Sequence, residues 1–160
     1  MSATVSAGIG PFQNPVTAHT SAVDGQAEVS SSSSGDVLSG SQFTVDVTQL
    51  TTGDGLQDDQ LRAILETSTY PTAMFKQTGS VPLPGVAELR NGTTITLSGN
   101  LTLHGVTRSV TIPAQITLRG QTITVAGTIP FRLADYGIHG AGLVSVGDEG
   151  TMAFRLVMTR

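Results

Sequence analysis

The chain has no cysteine and no tryptophan, only 12 % charged residues and no long apolar run. Each shortage excludes something. Without cysteine there is no disulfide framework and no thiolate metal site. Eight Lys and Arg stand singly against twelve Asp and Glu, for a net charge of −4. The cationic stripe that phosphate backbones require is missing, so nucleic acid is not an expected partner. No apolar stretch approaches the ~20 residues of a membrane-spanning helix, and no membrane span is expected. The start, MSATVSAGIGPFQNP, lacks the basic and apolar regions of a secretory signal. The chain is therefore expected either to be cytoplasmic or to begin after a targeting segment.

What is present points to β structure. Nineteen glycines and abundant Ser and Thr in 160 residues suit a turn-rich all-β domain large enough for a core. Residues 1–15 mix Ala, Gly, Ser and Pro without periodicity and read as a loose N-terminal arm, with the domain proper over 16–160. A weak strand pattern starts at Val16, and GQAEVSSSSSG reads as a strand that ends in an exposed serine turn. In SQFTVDVTQL, Phe43, Val45 and Val47 alternate with polar residues, as in a half-buried strand. One helix is expected near residues 56–67, where Leu61, Ile64 and Leu65 form an apolar stripe, Asp58 and Asp59 suit the first turn, and Pro71 closes the segment.

Longer strands follow. Ala73 and Phe75 share a face; Ile95, Leu97, Leu101 and Leu103 alternate; so do Val106 to Leu118, Ile123 to Leu133, and Met152 to Met158. Taking His104-Gly105 as a two-residue loop sets Leu103 opposite Val106, and taking Gly120-Gln121 likewise sets Leu118 opposite Ile123. Both hairpins agree on the apolar face. A long antiparallel sheet apolar on one side curls to cover it, so a barrel with one short inserted helix is expected.

Three blocks, FTVDVTQLTTGDGLQDDQLRAIL…YPTAMFKQTG, LSGNLTLHGVTRSVTIPAQI and GTIPFRLADYGI, closely resemble the YceI-like family of lipocalin-like proteins. The resemblance runs over roughly residues 20–160, and GNLTLHGVTR is its most specific part. It implies an antiparallel lipocalin-like barrel and a periplasmic or secreted binding protein, not an enzyme, for long apolar molecules such as polyisoprenoids, isoprenoid quinones or fatty-acid-type lipids. The implied role is transport, storage or sequestration. Family members usually begin with one or two further strands; here only the arm precedes TSAVDGQAEV. An open sheet edge is thus expected, along which the arm packs or another chain adds.

The residues expected to line an apolar cavity are Phe43, Val45, Ala73, Phe75, Leu97, Leu101, Val110, Ile112, Val125, Ile129, Phe131, Phe154 and Met158. Small inward residues, Ala73, Gly99, Ala114 and Gly127, leave space between them, and Met152 and Met158 adapt to a flexible chain. The same residues also allow the alternative, a filled barrel acting through protein contacts. Arg108 shares the side of Leu101 across the hairpin, so it is a candidate for pairing an anionic head group at the mouth, with His104 beside it; the opposing reading swings it to solvent. His139, in ADYGIHGAGL, marks a candidate loop at the cavity entrance. His19, His104 and His139 lie in separate segments without HxH or HExxH spacing, so neither a metal nor another cofactor is expected. No GxSxG elbow supports a hydrolase.

Overall fold

The computed structural model describes residues 2–9, 16–139 and 149–159, with side chains described from residue 17 onward. Ten strands form one antiparallel sheet: β1 (Ser2–Ile9), β2 (Val16–Thr20), β3 (Val23–Ser32), β4 (Gly35–Asp46), β5 (Thr72–Gln77), β6 (Ser80–Pro82), β7 (Thr93–Leu103), β8 (Val106–Arg119), β9 (Thr122–Arg132) and β10 (Glu149–Thr159). The spatial order is β2-β1-β10-β9-β8-β7-β5-β4-β3, with β6 added on β4.

The two end strands of that order, β2 and β3, are halves of one segment bent at Ser21-Ala22. Its first half pairs with β1 and its second with β4. At the bend Thr20 Oγ1 accepts from Ala22 N (3.0 Å), and Asp46 N donates to the Ala22 carbonyl (2.9 Å). A sheet whose ends are joined in this way has curled on itself, which is how one apolar face is covered without a second layer.

Both expected hairpins hold. Leu103 pairs with Val106, and Leu118 with Ile123. His104 (φ 52°) and Gly105 (φ 73°) are both left-handed, as a two-residue loop matched to strand twist requires. The serine tract ends β3 and turns at Ser33-Ser34, where Ser32 Oγ donates to the Gly35 carbonyl.

The structure departs from expectation at two elements. The segment read as a loose arm contains strand β1, paired with β10 from Ser2↔Val157 to Ile9↔Gly150. Its Ala, Gly and Ser residues carry no apolar alternation, so only the neighbouring strand reveals it. Of the two ways expected to cover the open edge, the arm packing along it is what the structure shows: β1 covers the edge of β10. Besides α1 (Gly55–Ile64) there is also a second helix, α2 (Val86–Asn91), in which the Glu88 carboxylate accepts from Gly85 N (3.2 Å) and Leu89 is buried. At six residues α2 is too short to present a helical period.

α1 forms where its caps allow. Asp54 accepts from Leu56 N and Gln57 N, and Leu61, Ile64 and Leu65 enter the core. Asp58 turns back to the preceding loop, accepting from Thr51 Oγ1 (2.7 Å), Thr52 N (2.6 Å) and Thr52 Oγ1 (2.7 Å). The backbone bond and the two hydroxyls of Thr52 and Thr51 hold its carboxyl below the usual carboxylate range.

Candidate functional site

The barrel has unlike ends. At the end carrying the β7–β8 turn, α1 and the turn after β9 close it. The His104 ring lies 4.4 Å from that of Tyr70, its Nε2 is 2.6 Å from Glu66 Oε2, and its Nδ1 is 3.0 Å from the Tyr136 carbonyl. A methyl group on Gly105 would lie 2.6 Å from the Tyr70 ring, so only glycine admits this contact. Tyr136 is buried, edge-on to Phe131, and burial pushes its phenol up.

Below this latch the interior is filled by buried side chains. Val45, Ala73, Leu101, Ile112 and Ile129 are all buried within the core cluster. Its floor toward the other end is aromatic: Phe43 stacks on Phe75 at 5.2 Å and meets Phe154 at 5.2 Å, so one ring joins opposite walls.

Above the floor the interior opens. An inner chamber of about 30 Å³ is bounded by Phe43, Phe75, Phe154, Leu97, Leu156, Ser41, Gln42, Gly25 and Gln26. Ala27, Leu38, Val125 and Met158 form its upper rim and belong equally to a vestibule of about 290 Å³, which Val29, Ser31, Leu83, Ile116, Ile123 and Thr159 complete. The two spaces adjoin across these four shared residues. No charged side chain stands among the described lining residues. The chamber has room for little more than water; the vestibule lies near the lower end of the roughly 300–1,000 Å³ of small-molecule sites. A wider depression of about 550 Å³, between Asp24, Asp46 and Pro71, lies on the polar outer face.

Six of the thirteen residues expected to line a cavity do so: Phe43, Phe75, Leu97, Val125, Phe154 and Met158. Val45, Ala73, Leu101, Ile112 and Ile129 instead fill the closed half, and Val110 and Phe131 pack against it without lining either space. Alternation tells which face is inward but not how far along the barrel the interior is filled. The small inward residues also act otherwise than expected. A methyl on Gly99 would lie 2.5 Å from Phe75, and one on Gly127 would lie 2.8 Å from Phe154. Those glycines seat rings; they do not leave space.

The two head-group candidates need correction. Arg108 pairs with Leu101 as parity demands, but its side chain is exposed and its Nε donates to the Asp135 carbonyl (3.1 Å). At a strand end the long stem reaches solvent at little cost. His104 belongs to the latch. Both stand at the end opposite the mouth. Ala27, Leu38, Ser41, Ile116, Ile123 and Leu156 are lining residues that the expectation omitted. Ala27, Ile116, Ile123 and Leu156 sit at inward positions of their strands and Ser41 follows by alternation from Phe43, while Leu38 breaks that alternation. His139 is exposed, and residues 140–148 of the candidate entrance loop lie outside the described residues. Among the described residues no three His, Cys, Asp or Glu side chains group to hold a metal, and no helix is long and apolar enough to cross a membrane.

A curled antiparallel sheet with a filled end, an open end and an apolar interior is the architecture of lipocalin-like proteins. The YceI-like domain model matches residues 2–158, and the chain belongs to that family. Among solved structures it is similar to BcnA of Burkholderia cenocepacia, with 24 % identity, 98 % and 96 % of the two chains covered and a TM-score of 0.77. It is also similar to a polyisoprenoid binding domain of Saccharophagus degradans implicated in plant cell wall breakdown (19 % identity, 98 % and 93 % covered, TM-score 0.71). A third is the YceI protein of Campylobacter jejuni (13 % identity, 94 % and 88 % covered, TM-score 0.73). No match was found among curated protein sequences.

Proposed function

We propose that this protein binds the end of a long apolar chain, of isoprenoid or fatty type, and catalyses no reaction on it. The observation that carries this reading is the uncharged, largely apolar lining of the two adjoining spaces between the open end and the aromatic floor. The likeness to the Saccharophagus polyisoprenoid binding domain supports the ligand class. Affinity comes from area removed from water, roughly 25 cal/mol per Å² before the costs of ordering the chain. The vestibule holds the leading segment of the chain. Deeper entry needs Met158 to move; it is only partly buried and, being unbranched, gives way readily. The carried ligand is transported, stored or sequestered, in the periplasm or outside the cell.

A second reading, a filled barrel that acts through protein contacts, is favoured by one observation, the 30 Å³ inner chamber. Native mass spectrometry after gentle purification separates the two. A co-purifying lipid, or an apo mass that shifts on adding a C20 isoprenoid alcohol, is the expected result. An apo mass indifferent to that alcohol overturns the first reading.

A further inference from the structure

In the regular alternation of β4, Phe43 and Val45 face inward, so Ser41 does too. Leu38, three residues earlier, also faces inward, although strict alternation forbids residues three apart from sharing a face. The strand pairing shows why: Gln26 pairs with Gln42 but Glu28 with Ser39, so Ala27 opposes both Gly40 and Ser41. This is a bulge, with Gly40 at φ 62°, and bulges re-aim side chains. The buried Gln77 amide holds it: Oε1 accepts from Ser41 N (3.2 Å), and Nε2 donates to the carbonyls of Leu38 (3.1 Å) and Gly79 (3.4 Å). All of this fixes the backbone and leaves the Ser41 hydroxyl over.

That hydroxyl stands in the wall of the inner chamber. It is shut off from solvent and has no hydrogen-bond partner among the described residues; it is the one such side-chain atom there. A buried polar group without a partner is costly, and native structures keep few of them. Nothing in the closed half uses it.

We infer that Ser41 Oγ is the polar recognition point of the cavity, and that it selects chains whose leading end carries an uncharged oxygen, a hydroxyl or a carbonyl, over those ending in phosphate or carboxylate. This rests on the proposed function and adds the chemistry of the ligand's end. A serine hydroxyl donates to a carbonyl and both donates to and accepts from an alcohol. An anion in the same place would be buried with no lining cation to compensate it; Arg108 lies at the far end, bonded to Asp135. Entry of the chain displaces Met158 and brings the ligand oxygen to Ser41 above the Phe43 and Phe75 rings.

The test is a titration of the whole chain and of Ser41→Ala with three probes of one C20 isoprenoid skeleton: the alcohol, its monophosphate and the saturated hydrocarbon. Wild type is expected to prefer the alcohol to the phosphate by at least tenfold. Ser41→Ala is expected to lose about three- to tenfold for the alcohol, the worth of one neutral hydrogen bond, with hydrocarbon affinity unchanged and thermal stability equal or higher. Binding of all three probes with no change on Ser41→Ala overturns the inference and leaves the binding reading standing. Preference for the phosphate overturns it as well. Failure of all three probes to bind overturns the proposed function itself.

Discussion

A methyl group on Gly99 would lie 2.5 Å from the Lys76 carbonyl oxygen and from the Phe75 ring. One on Gly150 would lie 2.5 Å from Phe131, and one on Gly25 would lie 2.8 Å from the Gln42 carbonyl. None of these three glycines has the positive φ that alone would call for glycine. Their role is space: each lets a ring or a backbone settle on the strand beside it, as aromatic residues cover glycines in sheets. Gly99→Ala is expected to destabilise the fold by about 1–3 kcal/mol, the range for overpacking, in a urea titration. Gly120→Ala makes the contrast: nothing lies within 4 Å and only its φ of 60° is strained, so a loss of about 1 kcal/mol is expected. At Arg108 the structure decides between the two readings in favour of the solvent-facing one. Arg108→Met removes the bond to Asp135 at the closed end, and a ligand titration is expected to find equal affinities for wild type and mutant, for isoprenyl phosphate and alcohol alike.

Helix α1 is tied at both ends, by Asp58 to the Thr51-Thr52 loop and by the turn after it, through Glu66, to His104. The folded-state carboxyl of Asp58 is lowered, so its ionised form favours the native state. That contribution is complete above the ordinary carboxylate value. It declines once the unfolded chain takes up the proton, and it is gone below the lowered native value. Asp58→Asn is thus expected to lower the melting temperature at pH 7, and the difference from wild type should shrink as the pH falls through the acid range. The His104 latch acts on the same helix from its far end. His104→Asn keeps a residue tolerant of the left-handed region but loses the Tyr70 stacking and the reach to Glu66. A loss of about 1–2 kcal/mol is expected from two hydrogen bonds, with apolar ligand affinity unchanged, since the latch is remote from the mouth.

Across the whole molecule, the closed half is packed core and the open half holds the chamber and the vestibule. Ala27 stands where chamber and vestibule meet, on a strand with free space before it. Ala27→Phe should fill that junction without disturbing the packed half. Displacement of a fluorescent fatty-acid probe is expected to weaken at least tenfold while the denaturation midpoint stays within error. A variant that binds the probe as tightly as wild type would place the ligand elsewhere.

The sequence by itself determined the strands with apolar alternation, the two hairpin registers, helix α1 and the membership that GNLTLHGVTR announced. These are local: side-chain period, turn chemistry and caps act within a dozen residues. Strand β1 and helix α2 escaped because each holds its place through a neighbour, β10 for one and the core around Leu89 for the other. Only the tertiary structure decided where the cavity lies. Inward parity is the same for Leu101 and Leu97, yet one fills the core and the other lines the chamber. What separates them is how far the rings of Phe43, Phe75 and Phe154 reach from three different strands to meet in one plane of the barrel. The unpaired Ser41 hydroxyl was equally hidden. Its inward side follows from alternation with Phe43, but that no partner among the described residues meets it is set by the packing of the chamber and by the bulge that Gln77, from a third strand, holds in place, a relation among distant residues that no local pattern carries.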